Sequence, residues 1–378
     1  MRRTAISSVV SRKKYNLPSL ESGEKTKSFH RASEVTVLTF SEAIDASAGY
    51  SKRHLLLGNG FSIACRPDIF RYEKLFEQAD FSALSGSAKA TFEALGTTDF
   101  ERVIKALRDA AALAALYGAT AAQVTAMLED ANALKELLVQ TIARSHPAVP
   151  GDISNEEYTA CQSFLDNFDS TYTFNYDLLL YWTHMHRENR DEVQSDDGFR
   201  TSQADIDSGI SSDYVVWESG QSHDQNMWFL HGALHVFDSG TEIQKYTWNR
   251  TGVRLIEQIR EALSRNFFPL FVAEGSSAEK LERIRHSDYL AKAYRSFQEI
   301  QHCLFVYGHS LAANDEHYLR RIEKGKLTHL FVGLHGDPGS VANRRIIKRA
   351  EGMRLARRGK RELKVDFYDS ASADVWGA

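Results

Sequence analysis

The chain predicts an α/β protein: a parallel sheet with helices on both faces, interrupted by a helical insertion. Three observations carry that reading. The run Gly58-Asn59-Gly60-Phe61-Ser62 directly follows an apolar stretch at residues 54–57, the strand-then-glycine order with which many nucleotide-binding domains begin. Residues 303–307 form a short continuous apolar run, as a strand buried on both faces requires. Strand patterns then alternate with capped helical patterns towards the C-terminus, the signature of βαβ units.

Taken in order, residues 1–33 are basic and polar, with Arg2, Arg3, Arg12, Lys13 and Lys14, and lack the apolar centre of a secretory signal. They are expected to be a disordered tail. Residues 34–40 carry Val35, Thr36, Val37 and Thr39, β-branched side chains that suit a strand. Residues 53–57 form the strand before the glycines. A helical block follows. Thr98 with Glu101 has capping-box spacing, and Phe100, Val103, Ile104 and Leu107 repeat at helical intervals up to Gly118. Thr120 with Gln123 starts the next helix, which His146-Pro147 closes.

Strands are then expected at 170–174, 214–217, 227–230, 303–307, 327–332 and 363–367, with a weaker one at 267–272 that Pro269 interrupts. Ser276 with Glu279, Asn314 and Ser340 are the predicted caps of helices at about 276, 315–323 and 341–358. Residues 188–212 are rich in Asp, Ser, Gln and Gly and read as a surface loop. The domain expectation is therefore a tail at 1–33, a Rossmann-like sheet domain from 34–70 and 165–378, and a helical insertion at 71–164.

Composition narrows the function classes. The 378 residues are 43% hydrophobic and 25% charged, with net charge −4, so no strong global field favours nucleic acid or a membrane surface. No apolar run approaches the ~20 residues of a membrane span. Cys65, Cys161 and Cys303 are too dispersed for a disulfide framework or a four-cysteine zinc site, which suits a reducing, cytoplasmic setting.

In such sheets ligands bind beyond the carboxyl ends of the strands. Gly58-Asn59-Gly60, Asn175-Tyr176-Asp177 and Gly308-His309-Ser310 all follow predicted strands, and His231 closes another, so these polar groups are expected to converge. Other candidates read as structural. His184 and His186 diverge on a helix and are placed on the surface. His309, His317, His329 and His335 are expected to be surface and loop residues, and Asp315-Glu316 a charge pair complementing a helix dipole. The basic residues from Arg344 to Arg361 read as a solvated helix face.

The order Gly-x-Gly-x-Ser, Thr-x-Asn-x-Asp, His-Gly and Gly-x-Ser-Leu resembles that of sirtuins and sirtuin-like NAD-hydrolysing domains. Residues 57–81 and 271–297 are similar to the bacterial family described as domain of unknown function 4917. The resemblance implies a sirtuin-like fold and an NAD-cleaving activity, of the kind bacteria use in antiphage defence. It implies that Gly58 and Gly60, with Asn59 and Phe61 in the same loop, cradle the pyrophosphate, and that Ser62 holds phosphate or ribose. Asn175 then sits beside the nicotinamide ribose, Asp177 near the carboxamide, and His231 acts as the catalytic histidine. Gly308 and Ser310 lie at the adenosine ribose and Asn343 near the adenine. Asn59 departs from the alanine usual in sirtuins. Three scattered cysteines cannot build the zinc ribbon that shapes the acyl-lysine cleft of protein deacylases, so hydrolysis of NAD is preferred to deacylation, with NAD as substrate and no metal. A regulatory protein partner and a homo-oligomer are compatible with this reading. The alternatives are a sensor that holds NAD or ADP-ribose without turnover, and a nucleic-acid or partner-docking protein using the basic C-terminal stretch.

Overall fold

Leu55, Leu56 and Leu57 are wholly buried, as are Cys303 to Val306 and Leu330 to Val332. Strands this apolar on both faces belong inside a parallel sheet. The computed structural model describes residues 35–186, 195–209, 211–221, 223–273, 276–359 and 361–377, and among them places these runs at the centre of a seven-stranded sheet. Its members are β1 (Val37–Leu38), β2 (Arg53–Leu57), β3 (Ser170–Thr173), β6 (Met227–Phe229), β10 (Gln301–Tyr307), β11 (Lys326–Leu334) and β12 (Lys364–Asp369). Their order is β1-β12-β11-β10-β2-β3-β6, every pair is parallel, and helices flank the sheet, a Rossmann-like α/β arrangement.

The order contains one reversal. From β2 the chain steps outward through β3 to β6, then returns to lay β10 against the other side of β2 before stepping outward again. Tyr307 pairs with Leu57 in register, so the loops after β2 and β10 emerge side by side. A crevice at such a switch point is where open α/β sheets bind ligands.

A second, antiparallel sheet was not expected. It runs β4 (Phe199–Arg200), β5 (Tyr214–Trp217), β8 (Ile243–Tyr246), β7 (Gly232–Asp238), β9 (Pro269–Phe271). The predicted strands at 214–217 and 267–272 therefore belong to this sheet. Pro269 is tolerated because β9 is an edge strand. Residues 188–212 are not a loop throughout: beyond 187–194, outside the described residues, they hold β4 and the helix Gln203–Ser208, capped by Ser202. The expected tail at 1–33 lies outside the described residues as well. The strand expected at 34–40 shrinks to β1, because Thr39 caps the helix Phe40–Ala46 in a capping box with Glu42.

Between β2 and β3 every described element is helical. Two predicted caps shift there and beyond, and the shifts matter. Asp99, not Thr98, caps the helix Phe100–Leu116, accepting from Arg102 N at 3.1 Å. Glu101 is thereby released from capping. Asn314 does not cap the helix Glu316–Lys324; its amide donates to Glu101 Oε2 at 3.0 Å. The caps at Thr120, Ser276 and Ser340 are as predicted.

Several polar residues read as surface are interior. His329 is buried and bonded to Asp366 (2.9 Å) and Tyr50 (3.2 Å). Arg357, within the basic stretch, is buried and donates to the carbonyls of Ile322, Leu327 and Arg361, while Arg349 pairs with Glu316 and Glu323. His186 is half-buried, stacked on Tyr158 with ring centroids 3.9 Å apart. His335 is exposed.

The two sheets are joined at Leu230-His231-Gly232, where β6 hands over to β7. Gly232 has φ +82°, and a Cβ there would stand 1.8 Å from the Leu270 carbonyl oxygen. Gly232→Ala should therefore destabilise the fold by about 3 kcal/mol or more, combining left-handed strain with overpacking. Denaturant unfolding measures this; a loss below about 1 kcal/mol would mean the junction relaxes freely.

Candidate functional site

The floor of the site is a contact between two glycine loops. Gly58 N donates to Tyr307 O (2.9 Å) and Gly60 N to Gly308 O (2.8 Å). A Cβ on Gly60 would lie 2.5 Å from Gly308 Cα, and one on Gly308 (φ +69°) 2.6 Å from Gly60 Cα. Glycine is required because two backbones touch. Those two amides are thus already committed to the neighbouring loop, so a pyrophosphate held here would be met by the other groups of the glycine run.

Behind the floor, β3 delivers Phe174, Asn175 and Asp177. Asn175 Nδ2 donates to Ser62 Oγ (2.8 Å), and Ser62 Oγ donates to Asp177 Oδ2 (2.5 Å). Asp177 Oδ1 accepts from Leu179 N (2.9 Å), closing a turn after the strand. Burial raises the Asp177 carboxyl above the usual carboxylate range, with the bonds from Ser62 and Leu179 partly offsetting it. His146 braces the same turn: its Nε2 accepts from Leu178 N (3.0 Å), so Nδ1 carries the proton and donates to Pro147 O (3.0 Å).

Around these residues lies a cavity of about 800 Å³, within the size range of small-molecule sites. It collects Gly58, Asn59, Gly60, Asn175, Asp177, His231, Gly308, Ser310 and Asn343 from four strand ends and a helix start. Phe61 and Ser62 do not line it. Phe61 packs on Trp376, whose indole N–H donates to the Phe61 carbonyl (2.9 Å), and Ser62 is wholly buried beneath Asn175. Asn343 reaches the wall, but both its amide protons go to the carbonyls of His335 and Asp337. Asn59 likewise donates to Phe70 O (3.0 Å).

The strongest electrostatic feature was not anticipated. Asp315 is buried rather than a surface dipole partner; Glu316 alone takes the surface role, pairing with Arg320 and Arg349. Asp315 Oδ2 accepts from His309 Nε2 (3.0 Å), and Oδ1 from Lys280 Nζ (3.2 Å). Leu311 N donates to His309 Nδ1 (3.1 Å), which fixes the proton on Nε2. His309 stands in the loop after β10, as expected, but is buried and lines the cavity rather than the surface. Lys280 is 1% exposed and also binds Glu101 Oε2 (2.8 Å). Burial alone would lower the Lys280 ammonium's pKa, but the Glu101 and Asp315 carboxylates overcome this and raise it. In turn Lys280 and His309 hold the Asp315 carboxyl well below the usual range despite burial.

His231 Nε2 lies 3.6 Å from Asp315 Oδ1 and has no hydrogen-bond partner among the described residues. Burial, reinforced by Lys280, holds the imidazole well below the ordinary histidine range, so it is neutral. Phe174 separates it from His309, with ring centroids 4.6 and 4.9 Å away. His317, also buried, accepts or donates at Ser277 Oγ through Nδ1 (3.0 Å).

His231, Asp315 and His317 bring ligand-type atoms within 4.8 Å of one another. Both Asp315 oxygens are nonetheless engaged, and the Lys280 ammonium beside Oδ1 repels a cation. The charge arrangement does not fit a resident metal.

Only the Gly-His-Ser run hinted at His309. Glu101, Asn314 and Asp315 were hidden because each also fits a helix start. Arg71 and Tyr72, which line the cavity, carried no signal at all.

The buried imidazoles set an acid limit. Desolvation lowers His54, His146 and His329 to about 4, and His235 and His317 to about 3. Unfolded histidine titrates near ~6.5, so as pH falls the unfolded chain binds protons first. Stability is full above pH ~6.5 and is lost progressively down to pH ~3–4. The melting temperature should fall continuously from pH 7 to 4; a flat profile would show that these histidines are not held neutral.

No curated protein matches this chain in sequence. A family model matches residues 55–376, from β2 through the cavity-lining Trp376. The chain belongs to the family described as Domain of unknown function (DUF4917).

Proposed function

We propose that the chain cleaves NAD with water to give ADP-ribose and nicotinamide. The observation that carries this is the convergence of nine residues expected from sequence on one cavity at the switch point of a parallel sheet. In the reaction the C–N glycosidic bond breaks and its electron pair returns to the pyridinium nitrogen, neutralising it. The ribose carbon becomes oxocarbenium-like, a water oxygen bonds to it, and that water's proton leaves.

The leaving group is already activated by its charge, so orientation and a proton acceptor are what the protein must supply. His231 offers a neutral, unpartnered Nε2 for the proton, and Asp315 stabilises the imidazolium that forms. Asn175, held by Ser62, presents an amide oxygen that can orient water or a ribose hydroxyl. Arg71, exposed at the cavity and without an ion-pair partner among the described residues, suits the pyrophosphate. NAD depletion in antiphage defence is the biological use the resemblance implies.

One observation favours a second reading, a module that holds NAD or ADP-ribose without turnover. A histidine held so far below neutrality is a weak base. The two readings separate in one assay. Purified protein incubated with NAD should release nicotinamide, resolved by chromatography. Asn175→Ala and His231→Ala should each lower that release by about 100-fold or more while the protein remains folded. Full activity in both variants would overturn the site assignment, and ligand-induced thermal stabilisation without release would favour the sensor.

A further inference from the structure

The helix Phe100–Leu116 contributes a charged side chain to the cavity wall near the His231 cluster, and it is a carboxylate. Glu101 stands in the first turn of the helix Phe100–Leu116 and lines the cavity. Its Oε2 accepts from both Lys280 (2.8 Å) and Asn314 (3.0 Å), which fixes the side chain. Its Oε1 has no hydrogen-bond or ion-pair partner among the described residues. The contacts Glu101–Lys280–Asp315–His231 run 2.8, 3.2 and 3.6 Å, so Glu101 sits at the His231 end of the cavity. The cluster thus brings two carboxylates, those of Glu101 and Asp315, to a single ammonium, that of Lys280. With Lys280 shared between two carboxylates, a cationic group that enters the cavity beside Glu101 meets an attractive negative charge there.

We propose that Glu101 is a further catalytic residue, whose free carboxylate oxygen faces the cationic pyridinium of the bound dinucleotide and the positive charge that develops on the ribose as the glycosidic bond breaks. This rests on the NAD-cleaving reading. A fixed charge placed where charge develops needs no reorganisation and is worth more in a desolvated site than in water. In this role the helical block completes the electrostatics of the site rather than merely covering it.

The test compares wild type with Glu101→Gln, which keeps the shape and an acceptor for Lys280. Nicotinamide release should fall about 100-fold in kcat, while affinity for ADP-ribose, whose ribose is uncharged, changes less than about threefold. Unchanged kcat overturns the proposal. So does a parallel loss of ADP-ribose binding, which would make Glu101 a structural strut. If wild type binds NAD without releasing nicotinamide, the NAD-cleaving reading fails, and the charge preference alone decides the role of Glu101. Wild type should then bind NAD more tightly than its uncharged-ring reduced form, and Glu101→Gln should bring the two towards parity. An unchanged ratio, or a wild type that binds neither, sinks the assignment.

Discussion

The site depends on the distance between two backbones. Gly60 and Gly308 approach so closely that neither can carry a methyl group, and the Gly60 N–H bonds the Gly308 carbonyl. This contact locks the loop after β2 to the loop after β10 at the one place where the strand order reverses. Everything that lines the cavity is positioned relative to it: Asn175 over Ser62 on one side, His309 and Asp315 on the other. The glycines that would ordinarily be read as a phosphate cradle are first a packing device. Any ligand must be met by side chains and by the amides that remain.

Above that floor the chemistry is organised by a buried cation. Lys280, in the helix Ser277–Arg285, satisfies a carboxylate from the helical block and another from the segment after β10. Removing Lys280 would leave two carboxylates without their shared cation, which costs far more than an exposed pair is worth. The cluster therefore ties three stretches distant in sequence to one geometry. It also explains why His231 stays neutral: desolvation and the ammonium act together against its protonation.

The parallel sheet was legible because its strands are buried on both faces and need no alternation to be seen. The switch-point residues were legible because glycine, asparagine and histidine after apolar runs have few structural reasons to be there. The antiparallel sheet was largely hidden, since β7 is six-sevenths buried and reads as apolar without period, while β4 and β9 are very short. Asp315 and Glu101 were hidden for a different reason. An acid at a helix start has a sufficient local explanation in capping and the dipole, and sequence alone offers nothing to override it. Only three-dimensional proximity to Lys280 shows that the local explanation is not the one in force.

The strand order has a consequence for synthesis. β2 lies inside the sheet, yet its partner on one side, the central strand β10, follows roughly 240 residues later. At ~5–20 residues per second, that partner leaves the ribosome on the order of 12–50 s after β2 does. For that interval β2, with its run Leu55-Leu56-Leu57, has an unpaired edge. Nascent chains are therefore most vulnerable to misassociation before residue 301 emerges, and chaperone demand should concentrate there.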